Sequence, residues 1–290
     1  SPIGTYTTGD DGTVTIQELE PKTVYIQELS VPHPLEVDTS VHSVTIKPND
    51  TVTYTQTNQY KRGNLKLAKV DEDGTYIPNT QFKLSYHNDM SDPIGIYTTG
   101  SDGTVTVEDL IADTVYIREI SVPAPLILDD SVKSKVIGHN TTITYTARNL
   151  YKKGDVEITK KDANSGKVVK KSGVEFDIFK KDGSANGTYI ATIATNSQGV
   201  ALYKNLRYGD YYFVEKTQPP KYYISNERIN FQIREDKVKI QKTLSNPQIR
   251  GKIILTKEDC EVGKRPQGDG TLDGAKYTLY AQENILDPAD

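Results

Sequence analysis

Residues 94–123 read IGIYTTGSDGTVTVEDLIADTVYIREISVP, and a second version of this stretch, IGTYTTGDDGTVTIQELEPKTVYIQELSVP, occupies residues 3–32. The match continues without a gap at a period of roughly 91 residues, so that 3–63 and 94–154 are identical at about 36 of 61 positions. Self-similarity over this length indicates that the repeating unit is close to a small domain.

One complete unit, starting at Gly63, reads as a series of short strands separated by Gly, Asp, Pro or Asn. The predicted strands cover residues 63–71, 80–86, 96–99, 103–107, 114–120, 133–137 and 141–148. Seven short strands in about 90 residues, without a 3.6-residue hydrophobic period, are typical of a β-sandwich. The sequence therefore predicts an all-β protein built from tandem Ig-like or transthyretin-like sandwiches.

Composition agrees with this fold class and excludes several functions. The chain has 19 Tyr, no Trp and 35% hydrophobic residues, and its 35 basic and 39 acidic residues give a net charge of −4. Mixed charge disfavours nucleic-acid binding, and no apolar run of about 18 residues is present, so we expect no membrane insertion in this segment. The single cysteine, Cys260, excludes an internal disulfide, and with only four histidines we expect no metal site and no cofactor.

The repeat predicts four domains along the chain. Residues 63–153 and 154–250 are each expected to form a complete domain, while 1–62 is the C-terminal part of one domain and 251–290 the N-terminal part of another. Junctions of only a few residues predict that neighbouring domains stack end to end. We expect the chain to be a piece of a longer repeat protein. A head-to-tail assembly of chains, with Lys257 of one meeting Asn58 of the next, remains an alternative.

A lysine recurs near the end of the first strand of each complete unit, as Lys69 and Lys160. By alternation from Leu65 and Leu67, Lys69 falls on the apolar face, where an unpaired lysine is rare. The alternative is a lysine whose amine reaches the surface. Lys161 is a rival to Lys160, although alternation within its strand favours Lys160 as the inward residue.

An acid and an amide recur as well. A hydrophobic strand carries a glutamate before a proline-containing turn, and the last strand ends on an asparagine. An asparagine at this place also fits an ordinary strand-end turn, which is the alternative interpretation. The positions are Glu28, Glu119 and Glu215 for the acid, and Asn58, Asn149 and Asn246 for the amide.

These motifs resemble those of the Cna protein B-type family, the SpaA-like or prealbumin-like modules of Gram-positive surface adhesins and pilins. The family's opening K-x-D strand and L-x-G-A-x-F-x-L-Y strand match residues 257–259 and 272–280, and a degenerate version of the second stands at 77–84. A shortened version of the family's Y-x-(F/L)-x-E-x-x-x-P motif, with the spacing Y-x-x-E-x-x-x-P, stands at 116–123 and 212–219. The resemblance covers essentially the whole chain.

The resemblance implies a chemistry for the recurring residues. In that family a lysine and an asparagine join in a spontaneous intramolecular isopeptide bond, and the glutamate assists. Carried over to this sequence, the resemblance pairs Lys69 with Asn149, assisted by Glu119, and Lys160 with Asn246, assisted by Glu215. In the incomplete domains Glu28 and Asn58 have no lysine, and Lys257 has no acid or asparagine. Since each bond forms once, the resemblance implies that the protein is not an enzyme.

We therefore expect structural stalk repeats of an extracellular, cell-wall-anchored adhesin or pilus-like protein, with neighbouring repeats as partners and a host ligand bound through another region. The alternative is that the modules bind a host ligand themselves, for example through the Tyr-rich segments around Tyr203, Tyr208, Tyr211 and Tyr222. An enzymatic function lacks a recognisable nucleophile–base pair or metal set. Cys260 lies in an acidic setting that disfavours a thiolate, so we interpret it as an incidental loop thiol rather than an internal thioester.

Overall fold

The computed structural model describes residues 2–265, 267–283 and 287–289, and the chain within these ranges forms strands and no helix. It divides into two compact units. The first ends at Asn149, apart from Pro125–Ile127, which group with the second. Both units are all-β, which confirms the predicted fold class.

The first unit holds a complete two-sheet sandwich preceded by a separate strand pair. The pair consists of β1 (Thr23–Gln27) and β2 (Val41–Thr45). The sandwich strands are β3 (Arg62–Asp71), β4 (Gln81–Ser85), β5 (Pro93–Thr98), β6 (Thr104–Ile111), β7 (Thr114–Ser121), β8 (Lys133–Val136) and β9 (Thr142–Asn149). Their order is β6-β3-β9 in one sheet and β5-β4-β7-β8 in the other.

Alternating apolar residues of the two sheets form the core of this sandwich. Leu65 and Leu67 on β3 are fully buried, and they pack in one cluster with Phe82 and Leu84 of β4 and with Ile117 of β7. Because successive side chains in a strand point to opposite faces, this alternation places one face of β3 against the facing sheet.

The first and last strands of the sandwich are neighbours. β3 pairs with β9 in parallel, with Lys69 opposite Ala147 and Asp71 opposite Asn149. Gly63, at the start of β3, permits a close approach of the next segment, since a Cβ atom there would lie 2.1 Å from the carbonyl oxygen of Gly138. The parallel pairing places the first and last strands of a module side by side although they are about 80 residues apart in sequence.

The second unit repeats this arrangement. Its strands are β10 (Lys153–Asp162), β11 (Glu175–Lys180), β12 (Thr188–Ala194), β13 (Val200–Arg207), β14 (Gly209–Glu215), β15 (Ile229–Ile233) and β16 (Val238–Asn246). The sheets have the orders β13-β10-β16 and β12-β11-β14-β15. β10 and β16 pair in parallel, with Lys160 opposite Leu244 and Asp162 opposite Asn246.

Residues 2–60 form fewer strands than their repeat counterparts in the complete sandwich. The repeat equates 2–7, 13–20 and 51–58 with β5, β6 and β9, which pair with β4 or β3. Within residues 2–60 only β1 and β2 form a ladder. They are the counterparts of β7 and β8, which pair with each other in the complete sandwich. A strand needs a partner for its backbone N–H and C=O groups, so only the segments that have one are ordered as strands.

The described residues after 250 likewise form no strand, although their sequence matches the two opening strands of the sandwich. Ile253 and Leu255 correspond to the buried Leu65 and Leu67, and here both are exposed. None of the described residues belongs to a helix that is long and apolar enough to cross a bilayer.

Candidate functional site

A lysine, a glutamate and an asparagine meet inside the first sandwich. Lys69 comes from β3 and Asn149 from the end of the adjacent β9, while Glu119 reaches them from β7 of the facing sheet. Asn149 lies two residues beyond Ala147, the partner of Lys69, so it projects from the same face of the sheet. All three residues are buried, with at most 4% of their surface exposed.

The glutamate carboxylate contacts both other residues. Asn149 Nδ2 donates a hydrogen bond of 2.5 Å to Glu119 Oε1, and Lys69 Nζ lies 3.9 Å from Glu119 Oε2. Oε1 also accepts a hydrogen bond of 3.3 Å from the backbone N–H of Asp129, and Lys69 Nζ donates to the carbonyl oxygen of Val70 at 3.0 Å. The carboxylate therefore separates the amine from the solvent-facing loop and touches the amide.

The second complete sandwich contains the same arrangement. Lys160 Nζ lies 3.5 Å from Glu215 Oε1, and Asn246 Nδ2 donates to Glu215 Oε2 at 2.5 Å. Lys160 and Asn246 are fully buried, and Glu215 is 5% exposed. Lys160 Nζ also donates to the carbonyl oxygen of Leu244 at 3.4 Å, and the N–H of Ser225 donates to Glu215 Oε2 at 2.8 Å.

Burial changes the acid–base behaviour of these groups. Desolvation lowers the pKa of Lys69 and of Lys160, although the neighbouring carboxylates act in the opposite direction. Desolvation likewise raises the pKa of Glu119 against the effects of Asn149 and Lys69. Both shifts favour the uncharged forms, an amine and a carboxylic acid.

The structure decides between the two interpretations of the lysines. An amine at the surface is the wrong interpretation, because both Lys69 and Lys160 have no exposed surface, whereas Lys161 is partly exposed. Asn149 and Asn246 are the final residues of β9 and β16 and are buried there, so neither is an exposed turn residue.

The residues before and after the two sandwiches contain parts of the same set. Asn58 Nδ2 donates to Glu28 Oε2 at 2.6 Å, so the acid–amide contact occurs here as well, in a partly buried setting. Lys257 and Cys260 are exposed. The predicted Tyr-rich ligand surface is wrong for Tyr211 and Tyr222, both of which are buried.

Two kinds of site residue were not recognised as such from the sequence. Asp71 and Asp162, two residues after each lysine, are buried opposite the asparagines, and Asp162 accepts hydrogen bonds from Tyr222 Oη and the Gln248 amide. The recurring K-x-D motif was the sequence feature that could have identified both aspartates. The backbone donors to the glutamates gave no residue-type signal, because an N–H group is common to nearly all residues.

A small cavity adjoins the first site. It has a volume of about 20 Å³ and is lined by Glu119, Asn149, Asp129, Ser131 and Tyr145, among others. A space of this size holds one molecule as large as water or ammonia. Across the described ranges, no group of three or more His, Cys, Asp or Glu side chains is arranged to hold a metal ion.

Solved structures with similar folds include the Bacillus anthracis TIE protein, which aligns with a TM-score of 0.61 and 25% identity over 82% of this chain and 44% of that chain. This chain thus spans less than half the length of that protein. A streptococcal ancillary pilin aligns with a TM-score of 0.31 and 16% identity over 79% of this chain and 76% of that chain. The shaft pilin SpaA of Lactobacillus rhamnosus GG, as a D295N mutant, aligns with a TM-score of 0.30 and 14% identity over 64% and 99% of the two chains.

The comparison with curated proteins returned no match. The model of the SpaA prealbumin-like fold domain matches three times, at residues 2–60, 63–151 and 154–248. These matches cover most of the sequence and confirm the resemblance found in its motifs. The chain therefore belongs to the family of SpaA prealbumin-like fold domains.

Proposed function

We propose that this chain is a run of structural modules from an extracellular Gram-positive adhesin or pilus-like protein, and that each complete module closes itself with a Lys–Asn isopeptide bond. The observation that carries the proposal is the repeated set of Lys, Glu and Asn, buried and in contact in both complete sandwiches. We further propose the domain limits 1–62, 63–153, 154–250 and 251–290, of which only the second and third contain all three groups.

The reaction begins with a proton transfer. A lysine ammonium cannot attack a carbonyl carbon, so the proton of Lys69 first moves to the Glu119 carboxylate, which leaves a neutral amine and a neutral acid. The lowered pKa of Lys69 and the raised pKa of Glu119 both favour this pair. Contact within the core supplies the proximity that an uncatalysed amide exchange lacks.

The amine then attacks Cγ of Asn149, and the acid donates a hydrogen bond to the amide. The bond from Nζ to Cγ forms, the bond from Cγ to Nδ2 breaks, and Nδ2 leaves as ammonia with the proton that the amine gives up. Glu119 relays this proton and ends the reaction protonated, so atoms and charge balance. In the structure Nδ2 rather than Oδ1 faces the carboxylate, which is the amide orientation that suits the ionised acid. Hydrogen bonding from the protonated acid to Oδ1 requires the amide to rotate by half a turn.

The cavity beside Glu119 and Asn149 supports this chemistry, because it offers space for a leaving group of the size of ammonia next to the breaking bond.

Strand order supports a mechanical role. Because β3 and β9 run in parallel, a pulling force that enters at the start of β3 and leaves at the end of β9 loads the pair in shear. A bond from Lys69 to Asn149 carries this force directly between the two strands. Residues 70–148 then lie outside the load path, and the sandwich cannot unravel. The same holds for β10 and β16.

For location and partners we propose the bacterial cell surface, with wall anchoring through residues outside this chain, and neighbouring repeats as direct partners. The matches to the SpaA prealbumin-like fold domain, a family whose motifs occur in Gram-positive surface adhesins and pilins, support this setting. A host ligand would bind elsewhere in the protein.

Single-molecule stretching from the two ends tests the mechanical role. We expect the wild-type chain to show no unfolding step from either complete module. Lys69→Ala should add one step that releases about 80 residues, or roughly 280 Å of extended chain, and Lys160→Ala should add a similar step for the other module. Lys161→Ala is the matched control and should add none. Two full-length steps in the wild type would refute the proposed load path.

A further inference from the structure

A backbone N–H group donates to the site glutamate in all three domains that contain one. The donor stands ten residues after the acid each time: Asp38 to Glu28 Oε2 at 2.7 Å, Asp129 to Glu119 Oε1 at 3.3 Å, and Ser225 to Glu215 Oε2 at 2.8 Å. The donor side chains differ, so the recurring feature is the N–H group and not a residue type.

The loop that carries this N–H is held by a second recurring contact. An isolated antiparallel bridge joins a residue seven positions after the acid to one two positions after the asparagine. The three bridges are Leu35↔Tyr60, Leu126↔Tyr151 and Tyr222↔Gln248. The loop is thus attached to the segment that directly follows the asparagine, which fixes the position of its donor.

The two oxygens of each site carboxylate have different partners. In each domain the oxygen that accepts the loop N–H also accepts the asparagine Nδ2. In the complete modules the other oxygen, Glu119 Oε2 or Glu215 Oε1, faces the lysine and accepts no hydrogen bond within the described part of the chain. The carboxylate therefore presents an unoccupied oxygen to the amine.

Residues 2–60 show that the lysine does not create this geometry. Glu28 Oε2 accepts both the Asp38 N–H and Asn58 Nδ2, although neither its hydrogen bonds nor its ion pairs in the described structure include a lysine. The loop donor and the asparagine are thus sufficient to orient the acid.

We infer that the loop N–H is a positioning group for isopeptide formation: it holds one carboxylate oxygen on the asparagine and turns the other towards the lysine to receive its proton. This inference rests on the proposed crosslinking function. The residues concerned are Asp129 in the first module and Ser225 in the second. Because an N–H donor stabilises the ionised carboxylate, the Asp129 N–H also limits how far burial raises the pKa of Glu119.

Proline at the donor position removes the N–H group, whereas alanine keeps it. The chain is expressed as insoluble, unfolded protein and dissolved in urea, and its mass is checked to equal the sequence mass before refolding, which shows that no bond has yet formed. It is then refolded by dilution into buffers of different pH, quenched in acid at timed intervals and weighed intact. Peptide mapping then assigns each lost ammonia to Lys69–Asn149 or Lys160–Asn246. We expect Asp129→Pro to slow the first bond about tenfold or more, the effect of losing a hydrogen bond to a charged group.

Compared with Asp129→Ala, which removes the same carboxylate, Asp129→Pro should also shift the alkaline limb of the rate profile to higher pH, since Glu119 without the N–H donor keeps its proton longer. Asp129→Ala should stay within about twofold of the wild type, a change too small for the loss of a hydrogen bond. Neither Asp129 variant should change the rate of the second bond in the same molecule. Conversely, Ser225→Pro should slow the second bond, Ser225→Ala should not, and neither should change the rate of the first bond.

Equal rates for Asp129→Pro and the wild type, or equal slowing by proline and alanine, would overturn the inference. If proline prevents folding of the module, replacing the amide at 129 by an ester removes the N–H with little change of shape, and the same rate and pH shift are expected. A wild type that loses no ammonia under any condition would instead refute the proposed function itself, and this inference with it.

Discussion

Lys69 and Lys160 occupy positions where a charged amine is costly. Each is completely buried, with one carboxylate in reach and a backbone carbonyl as hydrogen-bond acceptor. Residue alternation alone predicted that both point inward. The sequence could not reveal the distances, nor the orientation of the Asn149 amide, because these depend on how the two sheets pack.

The acid–base state of the site predicts a bell-shaped dependence of the crosslinking rate on pH. In the reactive state Lys69 is a neutral amine and Glu119 is a neutral acid, so the two groups share one titratable proton. This state has the same net charge as the ion pair of ammonium and carboxylate. Lowering the pH protonates the amine, and raising it removes the proton of the acid. We therefore expect a plateau between an acid limb set by Lys69 and an alkaline limb set by Glu119.

Timed refolding across pH, with intact mass as the readout, measures this profile. The raised pKa of Glu119 places the alkaline limb above the ordinary range of a glutamate, and the lowered pKa of Lys69 places the acid limb below that of an ordinary lysine. Glu119→Gln, which cannot relay a proton, should be slow at every pH. A rate that rises steadily up to pH 10, as for an ordinary lysine, would contradict this mechanism.

Strand pairing explains where the repeat does and does not produce structure. The predicted strands of 63–153 correspond to β3–β9 within a few residues at each end, because period-two alternation and turn residues are local signals. Pairing is not local. The sequence of 2–60 is close to that of 93–151, yet it forms only β1 and β2, since the counterparts of β3 and β4 are missing from its ladder.

Hydrogen exchange tests this dependence on partner strands. We expect amides in β6 and β9 to be protected by the ladder with β3, while those in 13–20 and 51–58 exchange rapidly despite the similar sequence. The amides of β1 and β2 that face each other should show intermediate protection. Equal protection of 51–58 and β9 would mean that residues 2–60 have found another strand to pair with.

At the scale of the molecule, the arrangement joins the first and last strands of each complete module. A bond between Lys69 and Asn149 closes a loop of about 80 residues, which by the chain-entropy model developed for disulfides stabilises the module by about 4 kcal/mol. Reducing agents do not cut an amide, so this stabilisation should persist in dithiothreitol. The family and the tandem order were recognisable from the sequence, because three motifs recur in register.

Denaturant unfolding measures this contribution. Lys69→Met keeps an unbranched side chain of similar length but cannot form the bond, and it should lower the free energy of unfolding of its module by about 4 kcal/mol. Lys161→Met, beside the second site, is the control and should change stability by less than about 0.5 kcal/mol. A Lys69→Met module as stable as the wild type would show that the two strands are not joined.

The mass of the intact, denatured chain tests crosslink formation most directly. The wild type should be lighter than its sequence mass by two molecules of ammonia, one for each complete module. Lys69→Ala and Lys160→Ala should each restore one of them, and the double variant should restore both. A wild-type mass equal to the sequence mass would show that the buried lysines and asparagines contact the glutamates without reacting, and that the modules hold together by packing alone.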